Sequence, residues 1–146
     1  MFRVSAFVFL FCILIAAQQT AAPKTAPTVL PGKPIETTSG LKFFDLKIGT
    51  GKKAIPGFTI KVLYTGWIKN GKAYDEFDST RDKGPYEFDL GRSRVIQGWD
   101  EGIAGMHVGG KRQLIVPPSL AYGGQRVGNI PPNSTLIFEV ELLGVR

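Results

Sequence analysis

The chain has 146 residues, a formal net charge of +6, 18 glycines and one cysteine. That length suits one domain with appendages, and a lone cysteine excludes a disulfide framework. Its Lys and Arg are scattered rather than striped along one element, which argues against a nucleic-acid groove.

Residues 1–21 read as a secretory leader. Arg3 supplies the positive charge, Val4 to Ala17 is nearly all apolar, and small residues follow, with cleavage after Ala17 or Ala21. The apolar run is short for a bilayer span, so no stable membrane insertion is expected after cleavage. Cys12 follows Phe11 rather than a small residue, so lipidation is not expected. The C-terminal Leu143-Gly144-Val145-Arg146 is not an endoplasmic-reticulum retention tetrapeptide. A bacterial periplasm is therefore preferred over a eukaryotic secretory lumen. Residues 22–34 are rich in Ala, Thr and Pro without periodicity, and read as a flexible, partly extended tether. The domain is expected over 35–146.

Within it, Leu41 to Ile48 is the first strand candidate, followed by the Gly49-Thr50-Gly51 and Pro56-Gly57 turns. Thr59 to Ile68 alternates clearly, with Ile60, Val62 and Tyr64 on one face and Lys61, Leu63 and Thr65 on the other. Asn70-Gly71 then gives a hairpin signal, because both residues tolerate positive φ. Tyr74 to Lys83 is polar, acidic and then basic. Tyr86, Phe88 and Leu90 alternate as another strand. Ile96, Trp99 and Ile103 share one face of a short helix, which Gly102 and Gly105 are expected to end. Lys111 to Val116 is a strand stopped by Pro117-Pro118, and Ala121 to Pro132 is a long loop. Thr135 to Leu143 closes the domain, with Leu136, Phe138, Val140 and Leu142 facing one way and Ile137, Glu139 and Glu141 the other. The expected class is α+β: a curved antiparallel sheet wrapped around one short α-helix, whose Trp99 faces a small apolar cavity.

Much chemistry is missing. The only histidine is His107, and Ser79 and Ser119 have no local partner motif, so a Ser-His hydrolase is a poor reading. No zinc-ligand spacing is present. Asp75, Glu76, Asp78 and Asp82 lack the regular ligand positions and central glycine of a calcium loop. No glycine loop that would cradle a phosphate precedes a helix. Neither a metal nor a cofactor is expected.

Five pieces carry a resemblance: Tyr64-Thr65-Gly66, Phe77-Asp78-Ser79-Thr80-Arg81, Val95-Ile96-Gln97-Gly98-Trp99-Asp100-Glu101-Gly102, Leu120-Ala121-Tyr122-Gly123 and the run from Ile130 to Leu143. Together, and in order, they resemble the FKBP-type peptidyl-prolyl cis-trans isomerases, the immunophilins that bind tacrolimus and rapamycin. The resemblance implies an FKBP-like fold, proline-containing polypeptides as substrates, macrolide ligands and no cofactor. It also implies a pocket with Trp99 as floor. Tyr64, Asp78, Tyr122 and Phe138 would act on the bond. Phe77, Tyr86, Val95, Ile96, Trp99 and Ile130 would hold the substrate, with the Ile96 N–H and the Tyr122 hydroxyl on ligand carbonyls.

This sequence departs from the family pattern in three places. The Gly71 to Glu76 hairpin exit is longer than in compact members, and Asp75-Glu76 competes with Phe77-Asp78 for the site carboxylate; the continuation Ser79-Thr80-Arg81 favours Asp78. Lys83 stands where an arginine is common, a weaker planar donor for Asp78. The Tyr122 to Pro131 loop is one residue short, with Val127 where a histidine is frequent. No dimerisation segment precedes the domain, so a monomer is expected.

Overall fold

The computed structural model describes residues 26–146; the leader expected over residues 1–21 lies outside the described residues. Seven strands form one antiparallel sheet: β1 (Ile35–Glu36), β2 (Lys42–Lys47), β3 (Thr59–Asn70), β4 (Ala73–Ser79), β5 (Tyr86–Asp89), β6 (Lys111–Val116) and β7 (Leu136–Val145). Their order is β1-β2-β6-β7-β3-β4, with β5 also on β3. Helix α1 (Gln97–Ile103) is followed by β6, and a 3-10 turn spans Pro118–Leu120. The curved α+β sheet around a single short helix expected from the alternation is the architecture found among the described residues.

Strand β3 organises the sheet. One edge pairs with β7 from Ile60 to Ile68. The other edge is shared in succession: β5 takes Thr59 to Val62, and β4 takes Thr65 to Asn70. Tyr64 falls in the gap between those two partners. Its backbone is held by Thr80 instead, which receives the Tyr64 N–H on Oγ1 at 2.9 Å and returns its own N–H to the Tyr64 carbonyl at 3.0 Å. This break in the ladder leaves space beside Tyr64 for a hollow.

The core lies between the sheet and α1. Ile60, Val62, Leu136, Phe138, Val140 and Leu142, all placed on one face by period-2 alternation, are buried there with Trp99 and Ile103. Two helix glycines four residues apart set the helix against β6. A Cβ at Gly98 would stand 2.4 Å from Val116 Cγ1, and one at Gly102 would stand 2.6 Å from Leu114 Cδ2. Gly102 was expected to end α1 but lies inside it; close packing, not left-handed backbone, requires a glycine there. Gly105, with φ of +86°, makes the turn that leaves the helix.

The convex face is also covered. Trp67 is fully buried and Ile137 nearly so, yet neither belongs to the concave core. Pro27 is buried as well. Its neighbour Thr28 donates its N–H to Glu139 Oε1 at 2.6 Å, and its carbonyl accepts from Gln113 Nε2 at 2.8 Å. Glu139 and Gln113 are themselves buried, with Lys111 Nζ 3.3 Å from the Glu139 carboxylate. Part of the Pro/Ala/Thr-rich segment is thus strapped across the back of β6 and β7.

Candidate functional site

The break beside Tyr64 opens onto a hollow of about 180 Å³. Trp99, on the sheet-facing side of α1, has its ring centroid 4.8 Å from Tyr64 and 5.3 Å from Phe138, both edge-on. Phe77 meets Phe138 edge-on at 5.7 Å, and Tyr86 stands 6.4 Å from Trp99. This edge-to-face arrangement suits aromatic quadrupoles and fixes a rigid apolar wall. Gly66 makes it fit, since a Cβ there would lie 2.8 Å from both the Phe138 and Phe77 rings.

Polar groups converge on the same space. The Tyr64 hydroxyl donates to Asp78 Oδ2 at 2.5 Å, and Asp78 Oδ1 accepts from the Ser79 N–H at 2.9 Å and from Lys83 Nζ at 2.5 Å. The ion pair weakened by the arginine-to-lysine departure is therefore made. Burial alone would raise the Asp78 carboxyl, but the hydrogen bonds from Lys83, Tyr64 and Ser79 outweigh it and hold the group below the usual carboxylate range. Burial pushes the Tyr64 phenol up, and its donation to Asp78 pushes it further. Tyr122 is raised by burial first and by the Asp78 charge second. Both phenols are thus held as donors. Among the described residues, the Tyr122 hydroxyl and the Ile96 N–H have no hydrogen-bond acceptor.

Nine of the ten residues expected at the site line this one hollow: Tyr64, Phe77, Asp78, Tyr86, Val95, Ile96, Trp99, Tyr122 and Phe138. Ile130 does not. It is 5% exposed and packs into the core, with its backbone closing a tight turn onto Val127. Arg94 also lines the hollow, and no sequence pattern pointed to it, because an exposed arginine in a loop has no periodicity to betray it. Thr80 stands out in the sequence only as part of a motif; its role as a substitute strand partner depends on a gap between β4 and β5 that local sequence does not reveal. Asp75, the competing carboxylate, faces a different hollow. His107 bonds the Gly51 carbonyl through Nδ1 at 2.9 Å, away from the site.

Such a site has donors, a desolvated aromatic cup and a fixed carboxylate, but no paired nucleophile and base. It can bind, orient and dehydrate a planar amide.

Comparison with known proteins gives a consistent result. The sequence profile of the family described as FKBP-type peptidyl-prolyl cis-trans isomerase matches residues 50–143. An FK506-binding protein of Neisseria meningitidis serogroup B is 51% identical over 108 residues, covering 73% of this chain and 96% of the relative. FK506-binding protein 4 of Neurospora crassa is 45% identical over 116 residues, covering 80% of this chain; the chain spans only 24% of that longer relative. Among solved structures, FkpA from Escherichia coli superposes with a TM-score of 0.70 at 40% identity, over 77% of this chain and 51% of that one. AtFKBP13 superposes with a TM-score of 0.69 at 40% identity, over 76% and 97%. With the profile running from the turn before β3 to within β7, and a bacterial relative matched along nearly its whole length, this chain belongs to the FKBP-type peptidyl-prolyl cis-trans isomerase family.

Proposed function

We propose that the protein accelerates rotation about X-Pro bonds in exported polypeptides, acting as a monomer without a cofactor. The single observation that carries this reading is the cup: Tyr64, Phe77, Tyr86, Trp99 and Phe138 around one hollow, with Asp78 and Tyr122 at its wall. A peptide bond resists rotation by about 18–20 kcal/mol because of C–N conjugation. The planar form is the more polar one, so removing water from the imide carbonyl favours the twisted form. The apolar ring walls supply that desolvation. Asp78, held by Tyr64, orients the twisted amide; the Tyr122 hydroxyl and the Ile96 N–H fix the peptide on either side of it. Phe138 and Phe77 pack the prolyl ring against Trp99. Lowering the barrier by about 5–6 kcal/mol gives roughly ten-thousand-fold acceleration. No bond is made or broken, which matches a site without a nucleophile.

Export rests on the leader-like residues 1–21, with a bacterial periplasm as destination. The relatives named for FK506 support the same cup as a macrolide site, for tacrolimus and rapamycin alike.

The test is NMR exchange on an Ala-Leu-Pro-Phe peptide with the purified protein, with and without rapamycin. Turnover abolished by rapamycin is expected. Rapamycin binding without any turnover makes the protein a proline-binding module instead. Export is tested by expressing the full chain and sequencing the N-terminus of the released protein, which should begin at Gln18 or Ala22.

A further inference from the structure

A second hollow, of about 670 Å³, adjoins the cup. Phe77 stands in the wall of both. One side of the larger hollow is the β3–β4 hairpin, through Ile68, Asn70 and Asp75, and the other is the loop before β7, through Asn129, Pro131 and Asn133. Part of the hairpin wall, Asp75 and Glu76, comes from the segment after Asn70-Gly71 that the catalytic reading leaves without a task. The larger hollow has more than three times the volume of the cup. The cup is therefore sized for a ring and one planar bond, while its neighbour is sized for a stretch of chain.

The lining matches a polypeptide backbone. Ile68 and Pro131 give apolar contact, and the side-chain amides of Asn129 and Asn133 each offer donors and an acceptor. Neither amide is hydrogen-bonded to another described residue. Asn133 is held at φ of +59°, and its N–H donates to the Gly123 carbonyl at 2.7 Å, which anchors this wall to the loop that carries Tyr122.

We propose that this hollow is a substrate subsite that receives the extended polypeptide on one side of the isomerised X-Pro bond, pairing its peptide groups with Asn129 and Asn133. The proposal rests on the isomerase reading above. Because the hollow adjoins the cup on one side only, lengthening a substrate helps from one end only.

The experiment compares kcat/KM by NMR exchange for Ala-Leu-Pro-Phe and for the same peptide lengthened by four Ser and Gln residues at its N-terminus or at its C-terminus. The variant carries Asn129→Ala with Asn133→Gly, since glycine accepts the positive φ. An advantage of about ten-fold for one lengthened peptide is expected, the equivalent of one or two net hydrogen bonds, and the long-to-short ratio should fall to about one in the variant. No advantage for either lengthened peptide, equal advantages from both ends, or a ratio the variant leaves intact overturns the subsite. Failure of the isomerase reading is distinguishable, because then no peptide is turned over. In that event the subsite is read by the side-chain amide resonances of Asn129 and Asn133. They should shift on titration with one lengthened peptide and not with the short one, and unshifted resonances overturn it. Thermal unfolding of the variant separates misfolding from lost contact.

Discussion

Thr80 does for Tyr64 what a neighbouring strand would otherwise do. It is 6% exposed, and its hydroxyl and N–H occupy the Tyr64 backbone in the gap between β4 and β5. Thr80→Val keeps the shape and removes the hydroxyl, leaving the Tyr64 N–H without that acceptor. Stability should fall by about 1–3 kcal/mol in urea titration, and kcat/KM should fall with it because the Tyr64 ring is no longer fixed over Trp99. The titratable groups give a second expectation. Asp78 titrates below its unfolded value of about 3.9, so its contribution to stability is complete above that value and is lost as pH falls through the lower folded one. Tyr64 and Tyr122 titrate above their unfolded value of about 10; their contribution is complete below it and is lost as pH rises through the folded values. The contribution of these three groups to stability, and with it the activity, should therefore be level from about pH 5 to pH 9. A bell centred near neutrality would require a titrating group that this site does not contain. Asp78→Asn should reduce kcat/KM by more than about ten-fold, because it removes the charge that pairs with Lys83 and keeps one acceptor oxygen of two, so the new NH2 must face either the Tyr64 hydroxyl or the Lys83 and Ser79 donors.

Strands and helix differ in how openly the sequence declares them. The alternation of Ile60, Val62 and Tyr64 and of Leu136, Phe138, Val140 and Leu142 marks both central strands and their inward face. Strand β4 is harder to read, because a register shift between Gly66 and Trp67 interrupts its pairing and much of it is exposed on the sheet edge. Charged Asp75 and Glu76 sit there without alternation. The convex strap is harder still: Pro27 and Thr28 have no local pattern, and the groups that hold Thr28, Glu139 and Gln113, are 111 and 85 residues away in the chain. Local periodicity cannot report contacts of that span. The strap's energetics are nonetheless concrete. Beginning the chain at residue 31 removes Pro27 and the Thr28 bonds to the buried Glu139 and Gln113. Relative to a chain beginning at residue 22, a loss of roughly 2–4 kcal/mol is expected in urea titration. An unchanged unfolding midpoint would mean the strap contributes nothing in solution. Gly98 gives the matching expectation inside the fold: Gly98→Ala forces a methyl group into Val116, and should destabilise by about 1–3 kcal/mol.

At the scale of the whole molecule, the site is a junction rather than a motif. Tyr64 comes from β3, Phe77 and Asp78 from β4, Tyr86 from β5, Trp99 from α1, Phe138 from β7 and Tyr122 from the long loop. Sequence reading could name these residues through family resemblance, but their convergence is set by a sheet in which β3 pairs three other strands. A ligand that fills the cup therefore touches most of the elements that unfold together. Binding to the native state alone stabilises it by RT ln(1 + [L]/Kd), about 2.7 kcal/mol at a ligand concentration of 100 Kd. For a domain of this size that is an upward shift in Tm of several degrees, and the whole cooperative transition should move rather than one part of it. The two tryptophans of the chain allow this to be checked from within. Trp99 forms the wall of the cup and Trp67 lies buried on the opposite face of the sheet. With rapamycin bound, Trp99 emission should change at once on mixing, while Trp67, isolated in a Trp99→Phe variant with rapamycin at about 100 times that variant's own Kd, should be silent to mixing yet report the raised Tm that circular dichroism gives for the same variant. If Trp67 melts at an unshifted temperature while circular dichroism moves, the convex face is uncoupled from the cup, and the sheet does not act as one unit.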